Sequence, residues 1–247
     1  MGFLRNKILI VTGAGSGIGA AAAESCARRG AAVVLSGRRA DKLDLVREKL
    51  TGHGFRAAVV PADVTRPEDV RRLFDETERI FGPVDILVNN SGRGLKADIL
   101  EIRDEDWRAV LDADLTSVFL CSREALRRMI KAGRRGHIIT VSSIAGLYGT
   151  PGYAAYCAAK HGVTGFQRSL KWEARKHGVK VSTIFPGRVD TEFFDIYARR
   201  PDARQMLPAC ALGEYLAAIA ERKPLKRQAL RILNIGRRAV RLTGIGS

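Results

Sequence analysis

Residues 7–30 read KILIVTGAGSGIGAAAAESCARRG, and this stretch decides the fold class. The apolar, β-branched run at 7–12 is typical of a buried strand, and the alanine-rich segment at 17–29 is typical of a helix. Gly13, Gly17 and Gly19 allow close backbone approach, and the helix start offers N–H groups and the positive end of its dipole. The stretch therefore predicts a strand, a turn and a helix that together bind a diphosphate.

The alternation of strand and helix continues along the chain. Further strands are predicted at residues 32–36, 56–61, 85–89, 137–141, 180–185 and 230–235. Further helices are predicted at residues 40–50, 67–81, 104–131, 153–176 and 209–221. Such alternation implies right-handed crossovers and a parallel sheet covered on both faces. We therefore predict one α/β domain over residues 1–247, a doubly wound Rossmann domain with about seven strands and a ligand site at their carboxyl ends.

Composition excludes several other classes of protein. Hydrophobic residues make up 46% of the 247 residues, which is enough for a core and too many for a disordered chain. No apolar run reaches the roughly 20 residues of a membrane span, and the N-terminus is not typical of a secretory signal, so we expect a cytoplasmic protein. The four cysteines lie far apart, which predicts reduced thiols filling small core spaces and no metal site.

The net charge of +16 is concentrated at the end of the chain. Residues 222–247, called the basic tail below, carry eight of the lysines and arginines and no acidic residue. One interpretation is an ordinary basic surface. The other is a weak contact with an anionic membrane, which would make the protein peripheral to that membrane. No aromatic residues interleave with these charges, so nucleic acid is not an expected partner.

The end of the second predicted strand bears on the identity of the nucleotide. A cofactor with a free ribose 2′-hydroxyl usually meets Asp or Glu at this place, but here Gly37 stands there and Arg38 and Arg39 follow. An acid would repel a 2′-phosphate, whereas a guanidinium binds one by charge-assisted hydrogen bonds. The sequence therefore favours NADP(H) over NAD(H). The alternative is that both arginines are solvated residues that lead into the next helix.

Several short motifs, in this order and spacing, resemble those of the short-chain dehydrogenase/reductase family. They are T-G-A-G-S-G-I-G at 12–19, Asp63-Val64, N-N-S-G at 89–92, Ser143, Y-C-A-A-K at 156–160 and P-G-R-V-D-T at 186–191. The resemblance covers roughly residues 5–192 and only loosely the rest. It implies a nicotinamide cofactor and hydride transfer between a small-molecule ketone and a secondary alcohol.

Tyr156 and Lys160 stand four residues apart and therefore share one face of a helix. Hydride transfer to a carbonyl leaves an alkoxide that needs a proton, but the pKa of a free tyrosine is about 10. A nearby ammonium lowers that pKa. The resemblance implies that Tyr156 is the general acid and base, that Lys160 also holds the nicotinamide ribose, and that Ser143 hydrogen-bonds the reacting oxygen.

The resemblance also implies where the cofactor binds. Asp63 would bond near the adenine, Asn90 would line the cofactor after the fourth strand, and Thr191 would orient the nicotinamide carboxamide. Asn89 would be structural, tying the central strands together. The complete predicted set is Gly13, Ser16, Gly17, Ile18, Gly19, Arg38, Arg39, Asp63, Val64, Asn90, Ser91, Gly92, Tyr156, Lys160, Pro186, Gly187, Val189 and Thr191.

Asp114 departs from the family, which usually has Asn there to organise a kinked helix and a water linked to Lys160. An ionised carboxylate only accepts hydrogen bonds, and its charge would lie close to Lys160. Two outcomes stay open: Asp114 pairs with Lys160 or water and keeps the proton relay, or the relay is impaired. We expect a working enzyme that uses Asp114 at its catalytic site. The alternative is a catalytically impaired nucleotide-binding protein of the same fold.

Residues 192–210 occupy the place of the family's substrate lid. Phe193, Phe194 and Tyr197 either contact an apolar substrate or pack the lid. The resemblance fixes neither the substrate, nor the direction, nor the stereochemistry. Many members of the family end in a glycine-rich strand that builds a tetramer, whereas this chain ends in a short basic segment. A homodimer and a homotetramer therefore both remain open as expectations.

Overall fold

The computed structural model describes residues 4–195 and 202–221. Within these ranges, six strands form one sheet and seven α-helices accompany it. The strands of this sheet are β1 (Ile8–Thr12), β2 (Ala32–Ser36), β3 (Ala57–Val59), β4 (Ile86–Asn89), β5 (His137–Val141) and β6 (Lys180–Ile184). The helices are α1 (Gly17–Ala27), α2 (Ala40–Gly52), α3 (Pro67–Phe81), α4 (Asp104–Leu111), α5 (Ser117–Lys131), α6 (Ala154–Arg175) and α7 (Ala209–Ala220).

The sheet is parallel throughout and has the order β3-β2-β1-β4-β5-β6. The chain builds outward from β1 to β3, then returns to the other side of β1 and builds outward again from β4 to β6. Sheets of this kind bind ligands in the crevice where the strand order reverses, which here lies between β1 and β4. The predicted doubly wound α/β fold is confirmed. The strand predicted at 230–235 lies outside the described residues.

Two hydrophobic cores cover the two faces of the sheet. Alternate residues of a strand face opposite sides, so Leu9 and Val11 join the core with α1, α2 and α7, while Ile10 joins the core with α3, α5 and α6. Every residue of β1, β2, β4 and β5 is buried. Strands buried on both faces form a rigid layer, and their carboxyl ends hold the following loops in fixed positions.

The first turn of α1 packs directly against the glycine turn. A Cβ at Gly19 would lie only 2.1 Å from the carbonyl oxygen of Gly13, and Gly13 itself has a φ of +64°. The side chain of Asn90 holds the turn from the other side, because its amide nitrogen donates to the carbonyls of Thr12 (3.1 Å) and Gly13 (3.2 Å). Glycine is therefore required here for packing as well as for any ligand.

The long helix predicted at 104–131 is wrong in one respect, because it is interrupted. A five-residue π-helical segment, Asp112–Thr116, separates α4 from α5. The wider turn of a π-helix re-aims the side chains that it carries, and such segments frequently lie at functional sites. In this chain the segment buries Asp114 completely.

The observed strands differ from the predicted ones in smaller ways, because strand pairing is not visible in the periodicity of the sequence. The strand predicted at 56–61 shrinks to the three residues of β3, and two unpredicted two-residue strands, β7 (Val189–Asp190) and β8 (Leu207–Pro208), pair in parallel. They carry too few residues for an alternating pattern. Of the lid segment, residues 196–201 lie outside the described residues, as does the whole basic tail.

The expectation that all four cysteines fill core spaces is wrong for Cys210, which is exposed. Cys26, Cys121 and Cys157 are buried. Burial raises the pKa of the Cys26 and Cys121 thiols to about 12, because the thiolate loses its hydration. Within the described ranges, no helix combines the length and apolar character that crossing a lipid bilayer would require.

The close contact of α1 with the glycine turn makes a stability prediction. We expect Gly19→Ala to lower the free energy of unfolding by about 2–3 kcal/mol or more, because the added methyl group meets backbone rather than a movable side chain. The control is Gly165→Ala in α6, where the new Cβ meets no atom within 4 Å and should stabilise by about 0.5–1 kcal/mol. Equal urea-unfolding midpoints for the two variants would contradict this account.

Candidate active site

A crevice at the carboxyl ends of β1 and β4 is organised by Thr12. Its hydroxyl oxygen accepts hydrogen bonds from the backbone N–H groups of Asn90 (3.0 Å) and Ser91 (3.1 Å), which follow β4. The hydroxyl in turn donates to the carbonyl of Val88 at 3.4 Å. Thr12 thereby fixes the two loops of the crevice relative to each other. It was missing from the predicted site, although a polar residue ending an otherwise apolar buried strand is a usable signal.

Asn89, the last residue of β4, and Asn90, the residue after it, have different hydrogen-bond partners. The Asn89 amide nitrogen donates to the hydroxyls of Ser122 (2.9 Å) and Thr140 (3.2 Å), which agrees with the structural role predicted for it. The Asn90 side chain holds the glycine turn, as described above. Its amide hydrogens are thus directed into the protein, and its predicted contact with a cofactor stays a prediction.

Ser143, Tyr156 and Lys160 lie together beside this crevice. Ser143 follows β5, and its hydroxyl oxygen accepts a hydrogen bond from the N–H of Ala145 (3.1 Å) in a short 3₁₀ turn, Ile144–Gly146. Tyr156 and Lys160 project from the first turns of α6, with the ammonium 5.4 Å from the centroid of the phenol ring. The sequence-predicted group is therefore brought together, and the catalytic role of each member stays a prediction.

The ammonium of Lys160 is buried against a carboxylate. Its nitrogen lies 2.8 Å from Oδ1 of Asp114, with Lys160 only 5% exposed and Asp114 fully buried. The second oxygen of Asp114 accepts a hydrogen bond from the N–H of Arg93 at 2.9 Å. A Cβ at Gly92 would lie 2.5 Å from Oδ1 of Asp114, so only glycine leaves room for the pair. Of the two outcomes expected for Asp114, this is the pairing with Lys160.

Burial and charge oppose each other within this group. Burial lowers the pKa of Lys160, but the charge of Asp114, the charge of Tyr156 and a hydrogen bond with Asp114 together more than offset this and leave the pKa above its usual value. Burial also raises the pKa of Asp114, and Lys160 opposes that rise. The opposite charges therefore support each other's ionised forms in a place where either charge alone would be unfavourable.

Lys160 lowers the pKa of Tyr156, as predicted, but the net shift of that pKa is upward. Burial raises the pKa of its phenol and is the largest influence. Lys160 and a hydrogen bond with Ser143 lower that pKa, whereas the charge of Asp114 raises it. The net direction is upward from the usual value, so the resting side chain is a neutral phenol that has a proton to donate.

The glycine turn has the properties that a diphosphate requires. Ser16 occupies the N-cap position of α1, and its side chain makes no capping hydrogen bond, so it does not occupy the N–H groups of the first helical turn. Thr191 packs over this turn, since a Cβ at Gly17 would meet its methyl group at 2.9 Å. Bare backbone, an uncapped helix start and a neighbouring hydroxyl fit an anionic group of this size.

The two arginines after β2 differ in position. Arg39 reaches back to the glycine turn, where its guanidinium donates to the hydroxyl of Ser16 at 3.3 Å. It also donates to the carboxylate of Glu192 at 3.1 Å, and Lys42 lies 3.9 Å from that carboxylate. Arg38 is exposed. Arg39 is therefore the better placed of the pair, and Glu192 is a neighbour that the sequence did not indicate.

The remaining predicted cofactor residues lie beyond the carboxyl ends of β3 and β6. Asp63 follows β3, and its carboxylate accepts hydrogen bonds from the N–H (3.1 Å) and hydroxyl (2.8 Å) of Thr65, while Val64 is buried. Val189 is buried and Pro186 lies just before it, after β6. Their contacts with a nucleotide stay predictions.

The start of the lid segment lies against the candidate catalytic tyrosine. The ring of Phe193 is 5.7 Å from that of Tyr156, and the rings of Phe193 and Phe194 meet edge to face at 5.3 Å. In this structure Phe193 therefore packs on Tyr156. Tyr197, the third aromatic residue named from the sequence, lies outside the described residues.

Comparisons with known proteins agree in the class of protein that they identify. A family model described as short chain dehydrogenase matches residues 7–200. A curated relative, the A-factor type gamma-butyrolactone 1′-reductase (1S-forming) of Streptomyces virginiae, is 38% identical over 208 residues, which is 83% of this chain and 81% of the relative. The 3beta-hydroxysteroid dehydrogenase of Mediterraneibacter gnavus is 38% identical over 192 residues, 77% of this chain and 69% of the relative. A solved structure of a short-chain type dehydrogenase/reductase from Mycobacterium marinum superposes with a TM-score of 0.81 at 28% identity, covering 88% of this chain and 89% of that one.

The buried ion pair makes a second prediction. We expect Asp114→Ala to destabilise the fold by about 3–5 kcal/mol, because it leaves the ammonium of Lys160 buried without its partner. Asp114→Asn keeps an oxygen acceptor and should cost about 1 kcal/mol. Urea unfolding at neutral pH measures both values. Adding Lys160→Met to Asp114→Ala should recover part of the loss, and strict additivity of the two substitutions would contradict the pairing.

Proposed function

The chain belongs to the short-chain dehydrogenase/reductase family, and on that premise we propose that it is an NADP(H)-dependent oxidoreductase that interconverts a carbonyl and a secondary alcohol. The observation that carries the proposal is the grouping of Ser143, Tyr156 and Lys160 beside the glycine turn. One relative is named for a butyrolactone and the other for a hydroxysteroid. Their names differ in substrate, so the proposal extends to the reaction class and not to one molecule.

The roles of the side chains follow from their charges. When bound, the nicotinamide supplies or accepts the hydride. Tyr156, a neutral phenol at rest, donates its proton to the oxygen that gains charge during reduction, and takes a proton back during oxidation. Ser143 donates a hydrogen bond to the same oxygen. Lys160 stabilises the phenolate that Tyr156 becomes once its proton has left.

Asp114 acts through Lys160 and does not touch the reacting atoms in this proposal. Its carboxylate keeps the buried ammonium charged and holds it at a fixed position beside the phenol. The same carboxylate raises the pKa of Tyr156 and so opposes formation of the phenolate. This opposing effect is the one observation that favours the second candidate, a catalytically impaired nucleotide-binding protein of the same fold.

The chain's own residues also suggest how the cofactor is held. Gly13, Gly17 and Gly19, with the first turn of α1, would accept the diphosphate. Arg39 would bind the 2′-phosphate, because its guanidinium already lies against Ser16 in the glycine turn. We propose that residues 192–210 form the substrate lid of a single domain.

The cofactor proposal predicts a difference between two closely related ligands. We expect the purified protein to bind NADPH more tightly than NADH in parallel fluorescence titrations. Arg39→Ala should weaken NADPH binding at least about tenfold, the value of one charge-assisted hydrogen bond, and change NADH binding less than about twofold. Arg47→Ala is the control, since Arg47 is an arginine of α2 paired with Asp44 instead. Tighter binding of NADH by the wild type would refute the NADP(H) preference.

A pH profile tests the catalytic roles. We expect the rate of alcohol oxidation to rise with pH as Tyr156 loses its proton, and Tyr156→Phe to abolish it. Because Asp114 raises the pKa of Tyr156, Asp114→Asn should move this rise to lower pH while keeping or increasing turnover. The measurement uses a panel of secondary alcohols with NADP⁺. No turnover by wild type or Asp114→Asn across that panel would favour the impaired protein, and a shift to higher pH would contradict the role given to Asp114.

A further inference from the structure

The carboxylate of Glu192 pairs with the basic side chains beside the glycine turn. One oxygen of Glu192 lies 3.1 Å from the guanidinium of Arg39, and the other lies 3.9 Å from the ammonium of Lys42. The hydrogen bond with Arg39 lowers the pKa of Glu192, and a hydrogen bond with Ser16 contributes in the same direction. Glu192 is therefore ionised at neutral pH and neutralises part of the charge of this cluster.

The same cations serve a 2′-phosphate in the function proposed above. A guanidinium that donates to a carboxylate has fewer N–H groups free for a phosphate, so the two anions compete. A phosphate monoester carries about −1.5 to −2 charges at neutral pH against one for a carboxylate, which favours the phosphate. The pair of Arg39 and Glu192 is largely exposed, so its own strength is modest and it can be displaced.

We propose that Glu192 is a specificity-determining residue that competes with the 2′-phosphate of NADP(H) for Arg39 and Lys42. This inference rests on the proposed function, because it assumes that Arg39 binds that phosphate. By pairing with Arg39 and Lys42, Glu192 weakens their attraction for the 2′-phosphate. It therefore reduces the ratio of the affinity for NADP(H) to the affinity for NAD(H). It does so without contacting a nucleotide that lacks the phosphate.

Displacement of Glu192 also has a consequence at the catalytic group. Glu192 begins the 3₁₀ turn Glu192–Phe194, whose start is fixed by the hydroxyl of Thr191 accepting from the N–H of Phe193 at 3.4 Å. The next residue, Phe193, packs on Tyr156. One short turn therefore connects the cations expected to bind the 2′-phosphate with the ring that covers the phenol. Release of Glu192 by the phosphate would remove one of the contacts made by this turn.

The test compares Glu192→Gln with the wild type, using direct binding rather than turnover. Fluorescence titration gives the affinities for NADPH and NADH, and calorimetry gives the affinity for adenosine 2′-monophosphate, which contains no nicotinamide. We expect Glu192→Gln to raise the affinity for NADPH and for adenosine 2′-monophosphate about three- to fivefold, the upper range for an exposed ion pair. The affinity for NADH should change less than about twofold. The gain should shrink as salt is raised.

Control variants separate this inference from the function on which it rests. Glu24→Gln removes a similarly exposed carboxylate, paired with Lys49 instead of Arg39, and should leave all affinities unchanged. With Arg39→Ala in the background, Glu192→Gln should lose its gain. If NADPH is preferred through Arg39 but Glu192→Gln has no effect, the inference is overturned and the proposed function stands. If the wild type prefers NADH, both are overturned.

Discussion

The ammonium of Lys160 is the charge around which this site is built. A buried cation is unfavourable without a partner. Here the partner is the carboxylate of Asp114, and three features position it. The π-helical segment turns Asp114 inward, Gly92 leaves the space that the carboxylate fills, and the N–H of Arg93 satisfies its second oxygen. Asp114 lies on the π-helical segment, Gly92 and Arg93 lie on the loop after β4, and Lys160 lies on α6. The pair therefore adds an electrostatic contact between elements that a small apolar cluster around Val110, Ala155 and Ala159 also packs together.

The same burial decides the resting state of Tyr156. Water would stabilise a phenolate, and its exclusion raises the pKa of Tyr156 more than Lys160 lowers it. With Asn at position 114, as the family usually has, no acidic charge would stand behind the lysine. Here the carboxylate keeps Lys160 charged and also weakens its effect on the phenol. The phenol of Tyr156 accordingly carries its proton at rest.

Local patterns predict most of the fold, and non-local contacts account for what they miss. The strand–helix alternation gave the doubly wound sheet because buried strands and amphipathic helices each have their own period. Periodicity alone does not indicate the π-helical segment, since apolar residues continue through 104–131, whereas the resemblance implied a kinked helix at position 114. Ser143, Tyr156 and Lys160 were recognisable because their order and spacing resemble those of the family's motifs. Glu192 was not, because its partner Arg39 lies 153 residues away. Thr12 ends an apolar strand, which is a signal, but its partner Asn90 lies 78 residues away.

The position of Glu192 follows from a constraint on the residue before it. Thr191 must pack over Gly17, where only a glycine leaves room for its methyl group. With Thr191 fixed there, the next two side chains diverge: Glu192 reaches the cations beside the turn, and Phe193 reaches Tyr156. A single contact of the Thr191 side chain thus precedes two neighbouring residues with different partners, Arg39 for Glu192 and Tyr156 for Phe193.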